Sequence, residues 1–355
     1  MDVHIIPGVK AKDVAEAHVK DVALATEYKC KCMTYWVDEK RENVFCLIDA
    51  PEKKVVEDLH KQAHGLVPHK IIEVSSVLVE SFLGRTEDPT NAEINGDGLK
   101  VFHEPSLRFL LVTKIDDAVL LKHRFAGKAN EILSTQDFII RENIASYAGK
   151  EALYSNHCFV ISFTSATKAI ACAQSIQKDI IDAGLTNTGF YMSINSGEPV
   201  SESNKLFGDT IQFANRLCCL KKENEIIIAS TIKKLIPAEY FKKEKTIVSI
   251  LPSDEALLDA LYTTLEKHYT DPDFNVTDYC QKMALSKSQL YRKTISLFNL
   301  SPNLLLKEFR LEKALEMLKE KKYNISEITF DTGFTSPSYF TKCFKKKFGF
   351  LPNTY

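Results

Sequence analysis

The last hundred residues hold two helix-turn-helix patterns in tandem, and no other feature constrains the fold of this 355-residue chain as strongly. Residues 275–298 and residues 325–349 each predict a short helix, a tight turn and a longer helix with basic and hydroxyl side chains on its exposed face. The amphipathic stretch 301–318 predicts a long helix between the two units. Such a spacer suits two recognition helices that enter successive major grooves of DNA, about 34 Å apart.

Capping residues predict where these helices begin and end. Ser286 and Gln289 are spaced as a capping box, and Ser336 precedes a proline at the first helical position. Gly333 stands where the first helix of the second unit must turn. The predicted packing residues are Leu290, Ile295 and Leu297 in the first unit and Tyr339, Phe340, Phe344 and Phe348 in the second.

The remaining positions of the two longer helices predict a DNA-reading face. In the first unit they are Lys287, Ser288, Gln289, Tyr291, Arg292 and Lys293. In the second they are Ser336, Ser338, Tyr339, Lys342, Lys345, Lys346 and Lys347. The chain as a whole has 46 basic and 47 acidic residues, whereas residues 280–355 have 14 basic and 6 acidic ones. The basic excess is therefore local, which favours phosphate contact by this part alone and predicts salt-dependent binding of double-stranded DNA.

Residues 252–355 resemble the AraC/XylS-type DNA-binding domain. The resemblance is carried by residues 285–293, 310–315, 325–328, 333–334, 338–340 and 344–352. It implies an all-α fold and sequence-specific DNA binding. Ala284 and Asn299 replace two turn glycines that are usual in the family, and asparagine tolerates the left-handed backbone that the second turn requires.

Length and composition predict a multidomain α+β protein in the cytoplasm. No apolar run is long enough to span a membrane, and the first residues lack the pattern of a signal peptide. Nine cysteines in so long a chain do not form a disulfide framework, and Cys46, Cys158 and Cys172 are expected to be reduced thiols in apolar surroundings. A polar stretch with proline and glycine predicts a linker at residues 85–105, and a second boundary is expected near Pro252. The expected domains are residues 1–84, 106–248 and 252–355.

Residues 1–84 show the order strand, helix, strand, strand, helix, strand, which predicts a ferredoxin-like fold. Five of the nine histidines occur here, and His60 and His64 have the i, i+4 spacing that places both on one helix face. His4 and Cys46 are expected on neighbouring strands within reach of that pair. Imidazole and thiolate together suit nickel, zinc or copper. The alternatives are partly exposed helix histidines with a core cysteine, or a pocket for an organic effector.

This first domain also resembles a small nickel-binding protein family of ferredoxin-like fold. The resemblance lies in His4, His18, Tyr35-Trp36 and residues 45–51 and 60–68. It implies a transition-metal site, for which the candidate ligands are His4, His18, Cys46, His60 and His64.

Residues 106–248 predict an α/β sandwich, with buried strands at 107–113, 159–163, 189–194 and 225–230 and a helix at 166–183. The order of elements and residues 196–200, 206–209 and 214–216 resemble the class III nucleotide cyclase catalytic domain. That family works as a head-to-tail dimer, so the resemblance implies a homodimer through this domain.

The catalytic residues that the cyclase resemblance implies are largely replaced. Lys114 and the turn Asn156-His157-Cys158 stand at the positions of the two metal-binding aspartates, and Asp116 and Asp117 are out of register. Gln212 takes the place of the transition-state asparagine and Leu153 that of the substrate-reading lysine, whereas Arg216 is retained. A cation at a metal-binding position repels the ion. The domain is therefore expected to be catalytically inactive and to need no catalytic cofactor.

Three hypotheses follow. The first is a transcriptional regulator, not an enzyme, that responds to a metal ion or a small effector through its N-terminal domains. The alternative is a regulator with a nucleotide-binding pseudo-cyclase, or with residual cyclase activity coupled to DNA binding. The third is a metal-handling protein in which DNA binding is secondary.

Overall fold

A computed structural model describes residues 1–90, 92–96, 98–115, 118–185, 188–222, 224–237 and 246–354. Asp116 and Asp117 lie outside the described residues. The first part of the chain forms β1 (Asp2–Ile5), α1 (Ala11–Ala25), β2 (Lys31–Asp38), β3 (Asn43–Asp49), α2 (Lys53–Ala63) and β4 (Lys70–Ile71). The four strands form an antiparallel sheet of order β2-β3-β1-β4. The predicted ferredoxin-like arrangement is therefore confirmed.

Alternation of side chains explains how this sheet presents two different faces. Trp36 and Phe45 are fully buried on the face that meets the middle of the chain, whereas Tyr35, Val37 and Val44 are buried on the face that carries α1. The first domain thus has a small core of its own and a second apolar face that is covered by the rest of the protein.

The stretch that was predicted to be a linker is packed against the first domain. It contains a short hairpin, β5 (Glu93–Ile94) and β6 (Lys100–Val101). Phe102 stacks on Tyr35 with ring centroids 4.2 Å apart. Apolar side chains at Leu99, Val101 and Phe102 interrupt the polar run and pack against the sheet, so this part of the predicted linker belongs to the core of the first domain.

The helix α3 (Ser76–Leu83) joins the first domain to the middle sheet. Its Phe82 packs on Phe207 with ring centroids 5.0 Å apart. The carbonyl oxygens of Phe82 and Leu83 accept hydrogen bonds from the guanidinium of Arg108, at 3.1 and 3.0 Å. Arg108 is buried at the beginning of the middle sheet. The N-terminal and middle parts therefore share one packed boundary.

The middle part forms a six-stranded sheet of order β12-β11-β10-β7-β9-β8, with helices packed against it. Its elements are β7 (Arg108–Lys114), α4 (Ala118–Phe125), α5 (Ala129–Ser146), β8 (Lys150–Ser155), β9 (Cys158–Phe163), α6 (Ala166–Asp182), β10 (Tyr191–Gly197), α7 (Gly208–Cys218), β11 (Ile226–Ile228), α8 (Ser230–Lys233) and β12 (Ile247–Ser249). The central strand β7 is buried along nearly its whole length, because both faces of the sheet are covered. The predicted α/β architecture is confirmed.

The last part is all helical, as predicted. It consists of α9 (Pro252–His268), α10 (Val276–Met283), α11 (Lys287–Phe298), α12 (Pro302–Glu320), α13 (Ile325–Asp331) and α14 (Pro337–Phe348), followed by a short 3₁₀ turn. One hydrophobic core runs without interruption from the middle sheet through α9 into the first helix-turn-helix unit. Among the described residues, no helix combines the length and the apolar character that a membrane span requires.

Candidate metal centre and DNA interface

Six side chains that commonly bind metals converge at one end of the first sheet. They are Asp2, His4, Asp21, Cys46, His60 and His64, and all except Cys46 and His64 are buried. Asp2 and His4 lie on β1, and Cys46 lies opposite Asp2 on β3. Asp2, His4, Cys46 and His60 form one group and Asp21, His60 and His64 a second, and within each group the donor atoms lie within 4.8 Å of one another.

His60 is the centre of the cluster. Its Nε2 lies 3.2 Å from a carboxylate oxygen of Asp2, and its Nδ1 lies 3.1 Å from Asp21 and 3.0 Å from Nε2 of His64. Burial opposes the charged imidazole, but the hydrogen bonds with the two carboxylates outweigh it and raise the pKa of His60 to about 9. The metal-free cluster is thus held by an imidazolium between two carboxylates.

Burial and hydrogen bonding also shift the pKa values of the groups around His60. Burial lowers the pKa of His4 to about 4, so this ring is neutral and able to bind a metal near pH 7. Burial also raises the pKa of the Cys46 thiol well above its usual value. Burial alone would raise the pKa of Asp21, but hydrogen bonds from His60 and His64 lower it to about 2. A metal at this site must therefore displace protons, which makes its affinity dependent on pH.

The donor chemistry fits a transition metal. Imidazole, thiolate and carboxylate in one buried group suit nickel, zinc, cobalt or copper better than magnesium or calcium. The group Asp2, His4, Cys46 and His60 fits better than the second group. Nδ1 of His64 accepts a hydrogen bond from the amide of Leu66 at 3.2 Å, so the neutral ring carries its proton on Nε2, the atom that faces Asp21. A metal at that atom would require His64 to release the Leu66 amide.

Two of the buried carboxylates were not among the predicted ligands, and one predicted ligand lies elsewhere. Asp2 is two residues before His4 on a strand, so both side chains point to the same face, a signal that the sequence contains. Asp21 is one of three acidic residues on α1, and only the packing of α1 on α2 brings it to His60. His18 lies outside both donor groups. Its Nε2 is 3.6 Å from Asp88, and its ring lies 5.2 Å from that of Tyr35.

A cavity of about 140 Å³ opens above the cluster. Five residues of the cluster line it, namely His4, Asp21, Cys46, His60 and His64. The other walls are mainly apolar and come from the connection between β1 and α1, from α1 itself and from β3, with Ile6, Val14 and Val44 among them. The candidate metal centre is therefore not sealed by protein.

The first helix-turn-helix unit has the predicted capping geometry. The hydroxyl of Ser286 accepts from the amide of Gln289 at 3.2 Å, and the side chain of Gln289 accepts from the amide of Ser286 at 2.9 Å. Ala284 and Asn299 adopt the left-handed backbone, with φ of 51° and 56°. Of the residues of this unit that are predicted to read DNA, Lys293 is half-buried, and the exposed ones are Lys287, Ser288, Gln289, Tyr291 and Arg292.

In the second unit, the recognition helix α14 begins at the cap Ser336, whose hydroxyl accepts from the amide of Tyr339 at 3.3 Å. Ser336 is half-buried, whereas Ser338, Tyr339, Lys342, Lys345 and Lys346 are exposed. Tyr339 is also predicted to pack. Its ring lies 6.2 Å from that of Phe334, while 52% of its surface is exposed.

Lys347 was predicted to belong to the exposed DNA-reading face, but its ammonium is bound by acidic residues of α12. Its ammonium lies 2.8 Å from the Glu308 carboxylate and donates to the Glu308 carbonyl at 2.9 Å. It also lies 3.4 Å from Glu312.

Two residues of α7 that the sequence singled out, Arg216 and Gln212, face the DNA-binding part. The buried guanidinium of Arg216 donates to the carboxylates of Asp259 and Glu266 on α9, at 2.8 Å for Glu266. Gln212 also lies at hydrogen-bond distance, 3.5 Å, from Glu266. Lys114 ends β7 beside the Cys219 thiol, 3.9 Å away. Helix α7 thus binds α9.

A carboxylate of the DNA-binding part lies at the same boundary. Lys221, which follows α7, is 3.0 Å from Glu312 on α12. Burial alone would raise the pKa of Glu312, but Lys347, Lys221 and Lys114 lower it to about 2. Glu312 is therefore charged at neutral pH and holds cations from both parts.

The opposite end of the middle part contacts the first domain. The side-chain amide of Asn43 donates to Glu198 at 2.7 Å. The ammonium of Lys70 donates to the carbonyls of Ser201, at 2.6 Å, and Ser203, at 3.1 Å. Asn43 and Lys70 pair with Ile5 and Val3 of β1, the strand that carries Asp2 and His4. The loop before α7 is therefore attached to the strands of the metal centre.

Comparison with known proteins assigns the two ends of the chain. Residues 279–355 match a family model described as a helix-turn-helix domain, and residues 1–74 match one described as nickel responsive protein SCO4226-like. The C-terminal part is an AraC-type helix-turn-helix domain, and the N-terminal part is a SCO4226-like domain.

Curated relatives are similar over part of their length. Histidine kinase P4 of Formosa agariphila is 36% identical over 126 residues, which are 36% of this chain and 9% of that protein. The Msm operon regulatory protein of Streptococcus mutans is 31% identical over 162 residues, 43% of this chain and 55% of that protein. This chain spans less than two thirds of the length of either relative.

Two solved structures have similar parts. The DNA-binding domain of AdpA in complex with a target DNA is 25% identical, with a TM-score of 0.26 over 28% of this chain and 87% of that one. An adenylate cyclase from Trypanosoma brucei is 15% identical, with a TM-score of 0.33 over 39% of this chain and 79% of that one.

Proposed function

We propose that this protein is a sequence-specific DNA-binding transcriptional regulator that responds to a transition metal ion, such as nickel, bound by its N-terminal domain. One observation carries the proposal. The chain joins two helix-turn-helix units with exposed basic recognition faces to a separate domain in which buried histidine, cysteine and aspartate side chains converge. The exposed lysines and Arg292 bind phosphates and base edges, and the capped helices hold them in register.

The middle part is, in this proposal, a catalytically inactive connector. It meets the strands of the metal centre through the loop before α7 and meets α9 through Arg216. These contacts support a mechanism in which α7 moves as one rigid element between sensor and DNA reader. Metal changes DNA affinity only if it binds the two arrangements of these domains with different affinity. A bound metal would take the place of the His60 proton, and it would be held by Asp2 and His4 of β1, Cys46 of β3 and His60 of α2.

A metal titration of the full-length protein tests the sensor. We expect sub-micromolar binding of nickel to the metal-stripped protein by calorimetry, and loss of that binding in a His60→Ala/His64→Ala variant. His103→Ala removes an exposed histidine outside the cluster and serves as the matched control. Absence of binding by the wild-type protein would contradict the metal part of the proposal and leave an organic effector as the alternative.

A DNA-binding measurement tests the regulator. DNA fragments selected from a random library by the wild-type protein would be titrated by fluorescence anisotropy, with and without nickel. We expect Arg292→Ala/Lys342→Ala to weaken binding by at least about tenfold and to reduce its salt dependence. The control variant Lys233→Ala/Lys267→Ala also loses two positive charges, but at positions outside the recognition helices. Equal affinity of both variants would contradict the assigned face, and unchanged affinity with nickel would favour a metal-handling protein.

The proposal includes a homodimer through the middle part. Phe138 on α5 is 64% exposed, and the neighbouring Tyr154 on β8 is 41% exposed, which supports an aromatic contact surface there. Sedimentation velocity would test it. We expect Phe138→Glu to convert a dimer to a monomer, whereas Phe330→Glu, on an exposed phenylalanine of α13, should leave it intact. A monomeric wild-type protein would contradict this part.

A further inference from the structure

The cavity above the metal centre differs from what a purely structural metal site requires. A purely structural site is enclosed by protein, whereas access from a cavity is typical of sites that bind a further molecule. Here three donors of the better-fitting group, His4, Cys46 and His60, line a cavity of about 140 Å³, and Asp2 does not line it. A metal held by these three residues together with Asp2 would therefore lie at the edge of an accessible space.

The walls of this cavity indicate the chemistry of its occupant. Ile6, Val9, Val14 and Val44 contribute apolar surface, and Leu66 lies at the half-open mouth. Small-molecule sites typically combine such walls with a few polar groups that fix orientation.

The two remaining polar residues of the wall already have partners. Asp13 accepts from the amide of Lys10 at 3.0 Å, and His18 lies 3.6 Å from Asp88. The metal cluster is therefore the main group of polar side chains that a ligand in this cavity would meet.

We propose that the cavity binds a small organic molecule with an apolar body and one nitrogen donor that coordinates the bound metal, so that the effector is a metal–ligand pair rather than the ion alone. The proposal rests on the metal site of the proposed function and goes beyond it. The donor nitrogen occupies the coordination position that the protein leaves open on the cavity side. The apolar body packs between α1 and β3, on the surface that Val14 and Val44 provide. Selectivity for such a molecule over other chelators comes from burial of its apolar body.

A pair of probes with the same donor separates coordination from burial. 1-Methylimidazole and 1-butylimidazole present the same nitrogen, and the second carries three more methylene groups. The metal-stripped full-length protein would be loaded with Co²⁺, and each probe titrated while the visible absorption spectrum of the cobalt is recorded. We expect both probes to perturb the spectrum and the butyl compound to bind at least about tenfold more tightly, since burial of methylene groups favours binding.

A matched pair of variants tests the location. Ala17 lines the cavity from α1, whereas Ala23 lies on the exposed side of the same helix. Ala17→Leu fills the cavity and should remove the advantage of the butyl probe while it leaves Co²⁺ affinity within about threefold. Ala23→Leu adds the same side chain to the same helix and should behave as the wild-type protein.

The outcomes are distinct. Equal affinities for the two probes in the wild-type protein, no spectral response to either, or an unchanged ratio in Ala17→Leu would each overturn the ligand proposal while the metal site stands. If the wild-type protein does not bind Co²⁺, or if His60→Ala binds it as well as the wild type does, the metal site of the proposed function is overturned. The ligand proposal then falls with it. Tighter binding of 1-butylimidazole than of 1-methylimidazole that is lost in Ala17→Leu but kept in Ala23→Leu supports the metal–ligand pair.

Discussion

Arg216 of α7 and Glu266 of α9 form an ion pair, with 2.8 Å between Nη2 and the carboxylate oxygen, across the boundary between the middle sheet and the DNA-binding helices. Arg216 is the residue that the resemblance of the sequence to cyclases predicted to be retained. Its guanidinium is buried, and it also donates to the carboxylate of Asp259 on α9. This arginine therefore holds the middle part and the DNA-binding part together.

Arg216→Ala should uncouple the domains. We expect the free energy of unfolding to fall by about 2 kcal/mol, because a buried guanidinium loses hydrogen bonds to charged partners. DNA affinity without metal should persist, and its response to nickel should decrease. Arg141→Ala breaks the more exposed pair with Glu151 and should cost less than about 1 kcal/mol. A full nickel response in Arg216→Ala would exclude α7 as the connection.

Gly333→Ala should destabilise the second helix-turn-helix unit. Gly333 has φ of +76°, and a Cβ there would lie against the carbonyl oxygen of Tyr269 and 2.8 Å from Nε of Arg310. Gly349→Ala shares the left-handed strain, with φ of +89°, but meets nothing within 4 Å. In thermal unfolding, we expect the free energy of unfolding to fall by at least about 3 kcal/mol for Gly333→Ala and by about 1 kcal/mol for Gly349→Ala. Equal losses would mean that the contact with Tyr269 is not rigid.

The stability of the metal-free protein should fall as the pH rises above neutrality. The pKa of His60 is raised to about 9, above the value of 6.5 for an unfolded histidine. The contribution of His60 to the free energy of unfolding is therefore fully present below pH 6.5. As the pH rises through 9, up to about 3 kcal/mol of this stability is lost. His60→Asn should remove this slope in urea unfolding at pH 6.5 to 9.5, and His103→Asn should keep it. If the stability of His60→Asn fell with pH as steeply as that of the wild-type protein, His60 would not be the group responsible.

Asp2→Asn and Asp21→Asn should weaken the metal centre to different extents. Asp2 belongs to the better-fitting donor group, whereas Asp21 orients His60 and His64 from the second. We expect nickel affinity to fall more than about 100-fold for Asp2→Asn and about tenfold for Asp21→Asn, the range for a partner that orients a ligand. Asp58→Asn alters an exposed carboxylate of α2 and is the control. The reverse order would indicate that the metal binds the second group.

Local chemistry in the sequence determined the type of each element. The capping box of Ser286 and Gln289, the turn at Gly333 and the strand alternation around Trp36 and Phe45 depend on near neighbours, so they are readable before folding. The fold of all three parts followed from such patterns.

Only the tertiary structure decided which side chains meet. Asp21 joins His60 because α1 packs beside α2, whereas His18 on the same helix turns to Asp88. Lys347 leaves the basic face because Glu308 and Glu312 lie on the helix packed against it. Arg216 binds α9 because the middle sheet and α9 share one core. Such contacts depend on residues far apart in the chain, and a sequence pattern limited to near neighbours does not contain them.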